Sequence, residues 1–212
     1  MSDGVHSGMP RPGKIVCVGR NYREHAQELG HVVPTTPLVF YKPSSAVIAG
    51  GESIVRPRDA GRVDFEGEIG IVIGTTLRNA TAARAQAAVR GIVAVNDVSA
   101  RVLQKQDPQW WRAKGYDTFC PIGAERTGSP DLRDLTVISR VNGQERQRGH
   151  SKDMEFPIVD LLVWITRAIT LEPGDVVATG TPAGVGPLAP GDVVEIEVPG
   201  WSTVRNPVVA EA

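Results

Sequence analysis

Little in this chain of 212 residues speaks for a disulfide-stapled, membrane-spanning or polyanion-binding protein. Cysteine occurs only as Cys17 and Cys120, far apart and without a Cys-x-x-Cys partner. The pair reads as reduced and buried in a cytoplasmic protein, with a single disulfide as the alternative. Charge of one sign is also lacking: Lys and Arg number 23 against 24 Asp and Glu, a formal net charge of −1. That balance gives no reason to expect nucleic acid or an anionic membrane as partner. No apolar run approaches the ~20 residues that a spanning helix needs. Met1–Met9 have neither a basic start nor an apolar core, so they do not read as a signal peptide. Residues 1–13 are expected to form a disordered leader, and residues 14–212 a single domain. There is no repeat, no low-complexity tract and no obvious linker.

What is abundant is turn chemistry. Gly 23 and Pro 16 favour a fold of many short strands over a helical bundle. Strands are expected over Lys14–Val18, Leu38–Tyr41, Glu68–Ile73, Asp175–Ala178 and Asp192–Val198. Leu135–Val141, Asn142-Gly143 and Gln144–Arg148 form a hairpin, because Asn-Gly suits a type I′ turn. Helices are expected over Tyr22–Leu29, capped by Asn21 and stopped by Gly30, and over Thr81–Val89, capped by Asn79 or Thr81. A third opens at Pro157, with Ile158, Leu161, Leu162 and Ile165 at helical spacing. The segment from His31 to Pro37 reads as loop. Strands and helices do not alternate, which disfavours a parallel doubly wound sheet. The fold class is α+β, mainly β, on an antiparallel or mixed sheet.

The most informative stretch is Asp64-Phe65-Glu66-Gly67-Glu68-Ile69-Gly70, followed by Asn96-Asp97-Val98-Ser99. Side chains two apart on a strand share a face, so Glu66 and Glu68 project together where a β-run begins. Like charges held side by side repel unless neutralised, and a divalent cation does that. Asp97, at the end of the run Gly91–Val95, supplies a third carboxylate. All-oxygen ligation suits a hard ion such as Mg²⁺, Mn²⁺ or Ca²⁺ rather than zinc. The alternative for the two glutamates is the solvated face of an edge strand.

Five words in order resemble the fumarylacetoacetate hydrolase family, in particular its short single-domain members. They are Val18–His25 (Val-Gly-Arg-Asn-Tyr-Arg-Glu-His), Phe65-Glu66-Gly67-Glu68, Asn96-Asp97-Val98-Ser99-Ala100-Arg101, Lys114–Pro121 (Lys-Gly-Tyr-Asp-Thr-Phe-Cys-Pro) and Thr179–Gly186 (Thr-Gly-Thr-Pro-Ala-Gly-Val-Gly). The resemblance runs from about Lys14 to the C-terminus. It implies a mixed β-sandwich roll, a homodimer, and a Mg²⁺ or Mn²⁺ site held by Glu66, Glu68 and Asp97. Substrates of the family are 2-oxo or 2-enol carboxylates, so cations are expected nearby, and Lys114, Arg20 and Lys42 each fall in or beside a matching stretch. Lys114 is expected to stabilise a developing enolate, and Arg20 and Lys42 to bind substrate.

His25 and Glu28, three apart on a helix, share a face, and a carboxylate that orients an imidazole makes it a better base. In the hydrolase-like members the corresponding dyad activates water. The loop Gly30–Pro37 would let this helix act as a lid. His6, His31 and His150 have no such context and read as surface residues. In Gly180–Gly186, Thr181 offers its hydroxyl and N–H to a carboxylate; this is no phosphate loop, since it lacks Gly-Lys-Ser/Thr. Gln104 stands where the family often places an amide near the substrate oxygen. Val102 departs from the aspartate common after Ala-Arg and leaves the partner of Arg101 open. Trp110, Trp111 and Tyr116 are candidates for specificity, core or interface.

The resemblance points to a metal-dependent hydrolase that cleaves the carbon–carbon bond of a small acylpyruvate-like β-diketo acid and releases a pyruvate enolate. The rivals are decarboxylation of oxaloacetate and isomerisation or decarboxylation of a 2-hydroxydienoate in aromatic catabolism. A metal-binding paralogue without chemistry is a fourth reading; the loss of a ligand or of the dyad would mark it, and neither is missing.

Overall fold

Runs of β-branched residues without polar alternation belong where both faces of a sheet are covered. In the computed structural model, which describes residues 11–28, 30 and 32–212, four such runs lie at the centre of a six-stranded sheet. Its order is Arg126–Thr127, Val89–Asn96, Gly67–Ile73, Val176–Ala178, Ile15–Gly19, Leu38–Lys42. Every neighbouring pair is antiparallel except Ile15–Gly19 with Val176–Ala178, so the sheet is mixed. Residues 1–10, Leu29 and His31 lie outside the described residues, and with them most of the expected leader, His6 and the end of the first helix.

A second sheet carries Gln144–His150, Thr136–Val141, Val193–Val198, Ser202–Ala210 and Ile54–Arg56, in that order. One core lies between the two sheets: Ile69, Ile71, Ile92 and Ala94 from the first meet Val137, Val194, Ile196 and Val204 from the second. The opposite face of the six-stranded sheet has its own core, in which Cys17, Val72, Val93 and Val95 pack with Cys120 and Ile122. Both cysteines are free and buried. Apolar side chains on both faces explain why Ile15–Gly19 and Gly67–Ile73 show no alternation. The architecture is α+β, mainly β, a mixed β-sandwich with short helices.

Among the described residues the helices are Arg23–Glu28, Ala82–Ala87, Arg101–Gln106, Trp111–Gly115 and Ile158–Ala168. The last buries Ile158, Leu161, Leu162 and Ile165, the face its spacing predicts. Thr81, not Asn79, caps the second, its hydroxyl accepting from Arg84 N–H at 3.4 Å. The hairpin forms as expected, with φ of 52° at Asn142 and 78° at Gly143, both in the left-handed region a type I′ turn requires. Asn21 does not use its side chain as a helix cap. Its Nδ2 donates to Thr179 O at 2.8 Å and Phe156 O at 3.1 Å, and its Oδ1 accepts from Phe156 N–H at 2.8 Å. That side chain joins the end of the first strand to Phe156 and to the Thr179–Gly186 loop. No described helix is long and apolar enough to cross a membrane.

Candidate active site and metal centre

Glu66 occupies a break between the strands Val63–Phe65 and Gly67–Ile73. Its N–H donates to Asn96 Oδ1 at 3.0 Å, and its carbonyl accepts from Asp97 N–H at 2.8 Å. The two acidic words are thereby fastened to each other through the backbone. Carboxylate oxygens of Glu66, Glu68 and Asp97 come within 4.8 Å of one another, and all three residues are buried. The surface-strand alternative for the glutamates is therefore excluded. Three buried carboxylates and no sulfur or imidazole make a donor set that fits a hard divalent cation.

The floor of the site is a polar network around Gln147. Gly67 N–H and Ser139 Oγ both donate to Gln147 Oε1, at 3.0 and 2.7 Å. Gln147 Nε2 donates to Thr181 Oγ1 at 2.8 Å and Pro182 O at 2.7 Å, and Thr181 Oγ1 donates to Gly67 O at 2.9 Å. The Thr181 hydroxyl is thus engaged in holding the Glu66–Glu68 backbone. Gly180 N–H donates to Glu68 Oε2 at 2.8 Å and fixes the second glutamate. At Gly67 there is no room for a side chain, because a Cβ would overlap Ser139 Oγ and lie 3.1 Å from Ile196 Cδ1. Gly67→Ala is expected to lower stability by about 1–3 kcal/mol through overpacking. A urea melt checks this, and an unchanged midpoint would mean that the network yields without cost.

Three cations compensate the acids. Lys114 Nζ donates to Glu66 Oε2 at 2.7 Å and Asp97 Oδ2 at 2.6 Å, and Lys42 Nζ donates to Asp97 Oδ1 at 2.6 Å and Val98 O at 3.1 Å. Arg101 pairs with Glu66 at 2.6 Å and through Nε with Asp64 at 2.9 Å, while Asp64 is also held by Arg62 at 2.7 Å. Asp64 is thus the partner that Val102 left open; Val102 itself is exposed beside Gly61. Burial favours the neutral form of Glu66, but Arg101 and Lys114 outweigh it and keep the carboxyl ionised. Glu68 has no such partner. Burial, then Asp97 and Glu66, push its pKa well above the usual carboxylate value, which favours its neutral form. Burial opposes the Lys114 ammonium, yet Asp97 and Glu66 hold its pKa above the usual lysine value.

His25 is 3% exposed on the helix Arg23–Glu28, with Nδ1 3.4 Å from Glu28 Oε2. Both Glu28 oxygens accept from Gly184 N–H at 3.1 Å, so the Thr179–Gly186 loop holds the dyad's outer member. Burial lowers the His25 pKa; Glu66 and Glu28 oppose that less strongly. The imidazole is neutral at pH 7.

One small cavity is lined by Arg20, His25, Glu66, Glu68, Gln104, Lys114 and Thr181, together with Phe40, Arg101 and Trp110. Asp97 and Lys42 lie behind its wall in contact with each other, and Glu28 reaches it through His25. Gln104 Oε1 accepts from Arg101 Nη1 at 3.0 Å. Trp111 is 71% exposed and takes no part in the cavity. The sequence assigns no role to Phe40, Asp64 or Gln147. Asp64 stood in the acidic word itself, whereas Gln147 lies on a strand whose pairing register alone brings it below Gly67.

The family model described as fumarylacetoacetate (FAA) hydrolase C-terminal matches residues 14–209.

 With 2,4-didehydro-3-deoxy-L-rhamnonate hydrolase of a Sphingomonas strain the identity is 40% over 210 residues, 92% of this chain and 73% of that one. With the human mitochondrial oxaloacetate tautomerase FAHD2A it is 37% over 211 residues, 94% of this chain and 67% of that one. The crystal structure of a 5-carboxymethyl-2-hydroxymuconate delta-isomerase from Mycobacterium smegmatis superposes with a TM-score of 0.88 at 45% identity, covering 95% of this chain and 80% of that one.

Proposed function

This chain belongs to the fumarylacetoacetate hydrolase family, and from that premise we propose that it is a divalent-metal-dependent hydrolase of a small acylpyruvate-like 2-oxo acid. The observation that carries this reading is His25: a neutral, buried imidazole on the cavity wall, oriented through Nδ1 by a carboxylate that is itself held by Gly184. With Nδ1–H directed to Glu28, Nε2 is left as the base. A Mg²⁺ or Mn²⁺ ion held by Glu66, Glu68 and Asp97 would polarise the carboxylate and 2-oxo oxygens of the substrate as a Lewis acid.

His25 Nε2 takes a proton from water, and the hydroxide adds to the carbonyl at position 4. The bond between positions 3 and 4 then breaks, and its electron pair moves into the enolate of pyruvate. Lys114 places its ammonium beside the developing enolate oxygen. The proton held by His25 is available to return to carbon 3 when the enolate collapses to pyruvate. Arg101 holds Glu66 and Gln104 in place, and Lys42 holds Asp97.

The same base supports a second reading, tautomerisation of a 2-oxo acid such as oxaloacetate, in which His25 moves a proton from carbon 3 and no water attacks. The human relative named as an oxaloacetate tautomerase favours keeping it. Decarboxylation needs no base and leaves the dyad without a task.

Side-by-side turnover of acetylpyruvate and oxaloacetate by Mg²⁺-loaded protein tests the choice. Cleavage of acetylpyruvate supports the hydrolase. Enol–keto exchange of oxaloacetate with acetylpyruvate untouched gives the tautomerase, and loss of CO₂ alone overturns both. The pH profile adds an independent check. Because the His25 pKa is lowered, its base form persists below the usual histidine value of 6.5, and kcat/KM should fall only at lower pH than that. An acid limb above 6.5 would remove His25 as the base.

A further inference from the structure

Two pieces of chain, distant in sequence, have to be held in one geometry for this site to work. Glu66 and Glu68 flank Gly67, where a central strand of the six-stranded sheet begins. His25 and Glu28 stand on a helix of six residues, and Glu28 is held by the Thr179–Gly186 loop. So short a helix has too little internal bonding to fix a base by itself. Its register against the acids has to be set from outside.

Gln147 reaches both sides. It lies on Gln144–His150, an edge strand of the second sheet, and is 1% exposed. Gly67 N–H donates to Gln147 Oε1 at 3.0 Å, Gln147 Nε2 donates to Thr181 Oγ1 at 2.8 Å, and Thr181 Oγ1 donates to Gly67 O at 2.9 Å. These bonds close a ring on both backbone groups of the residue between the two glutamates. Nε2 also donates to Pro182 O at 2.7 Å, and Oε1 accepts from Ser139 Oγ at 2.7 Å. A backbone donor on one side and a backbone acceptor on the other leave a single orientation for the amide, and its hydrogen-bonding capacity is filled.

From Pro182 the loop runs to Gly184, whose N–H is shared by both oxygens of Glu28, and Glu28 meets His25 Nδ1. The strand that carries Gln147 is also the bed of this loop. Gly184 has φ of 98°, and a Cβ there would overlap Arg146 O. A Cβ on Gly149 would lie 2.6 Å from Pro182 Cβ and 3.2 Å from Tyr22 Cε1, just ahead of the helix. Contact this close transmits a displacement instead of absorbing it.

We propose that Gln147 is a positioning residue, which sets the His25–Glu28 dyad in register with Glu66 and Glu68 by holding Gly67 on one side and Pro182 on the other. This rests on the reading of His25 as the base and deepens it. Gln147 does not line the cavity, so it acts through the groups that it holds.

A double-mutant cycle with His25→Ala, on Mg²⁺-loaded full-length protein whose folding is checked by urea unfolding, tests this. Gln147→Met keeps the length of the side chain and makes none of these hydrogen bonds. It should lower kcat about 10- to 100-fold with KM little changed, the loss expected when a supporting group shifts the reacting ones. In the His25→Ala background the same change should cost less than about twofold, because the base that it positions is gone. A merely structural role would lower kcat equally in both backgrounds, and that result, or an unchanged kcat in Gln147→Met, would overturn the proposal. If the methionine variant does not fold, the cycle is run on Gln147→Glu, which keeps the shape and the acceptors but gives up a donor, with the same expectation. Calorimetry supplies a readout besides turnover: Mg²⁺ affinity should fall about 10-fold or more in Gln147→Met. If the wild type turns over no 2-oxo acid, the reading of the site falls first. Gln147 is then judged by Mg²⁺ affinity, and a value equal to that of the wild type would remove it as well.

Discussion

Lys114→Met should lose about 10²–10³-fold in turnover, the loss that follows removal of one preorganised donor at a developing oxyanion. It should also cost about 3–5 kcal/mol of metal-free stability, because a buried ion pair has lost one partner. Lys114 is fully buried and bridges Glu66 and Asp97 at 2.7 and 2.6 Å. Without it those carboxylates face each other and Glu68 inside the protein. A divalent cation supplies charge to the same acids, so saturating Mg²⁺ should recover part of the stability. It should recover none of the turnover, since methionine has no proton or charge to offer the enolate. Urea unfolding with and without Mg²⁺, beside kcat on the best substrate, separates the two roles. Recovery of turnover by Mg²⁺ would reduce Lys114 to a structural counter-ion.

His25→Ala should lose about 10²–10⁴-fold in kcat, the usual contribution of a positioned general base. Its helix, Arg23–Glu28, has six residues and docks through Glu28 on Gly184 N–H. A structural explanation is therefore conceivable, and oxalate affinity distinguishes it. If His25 serves only as a base, oxalate binds His25→Ala as tightly as the wild type. Glu28→Gln keeps the shape of the dyad but loses the charge that orients and supports the imidazole. It should lower kcat by less and move the acid limb of the pH profile to lower pH, since the carboxylate raises the His25 pKa. An unchanged limb would mean that Glu28 acts only by tying the helix down.

The parts of the fold legible in the sequence were those decided locally. Asn142-Gly143 dictates its turn, and Ile158 to Ile165 show their helical spacing. The apolar runs Ile15–Val18 and Ile69–Ile73 mark strands, and the structure covers both faces of each. The strand Ser202–Ala210 was not anticipated: Asn206 and Pro207 interrupt its alternation of apolar residues. In the structure Asn206 is buried, and its Nδ2 donates to Ala49 O and Glu52 O at 2.8 Å, so a polar residue is accommodated by distant backbone. The short helices Arg101–Gln106 and Trp111–Gly115 have too few residues for a periodic signal.

In the site, Glu66, Glu68 and Asp97 were legible because their spacing and residue type carry the chemistry. Gln147 was not, because its place under Gly67 depends on the pairing of Gln144–His150 with Thr136–Val141, and on how that sheet packs against Gly67. Asp64 was in plain view but had no assigned partner until Arg101 folded back onto it. Thr181 was expected to offer its hydroxyl to substrate. In the structure Thr181 lines the cavity and its hydroxyl holds the Gly67 carbonyl, a contact across 114 positions that no local pattern encodes.

The central claim is that three buried carboxylates hold one hard divalent cation. Calorimetric titration of Mg²⁺ and Mn²⁺ into chelator-treated protein, in two buffers of different ionisation enthalpy, tests it most directly. Burial and the neighbouring acids raise the Glu68 pKa in the metal-free site, and a carboxyl must give up its proton to act as a ligand. The account predicts one cation per chain, release of a proton on binding, and affinity that weakens as pH falls. Failure of either ion to bind, or binding that persists unchanged in Glu68→Gln, would contradict it.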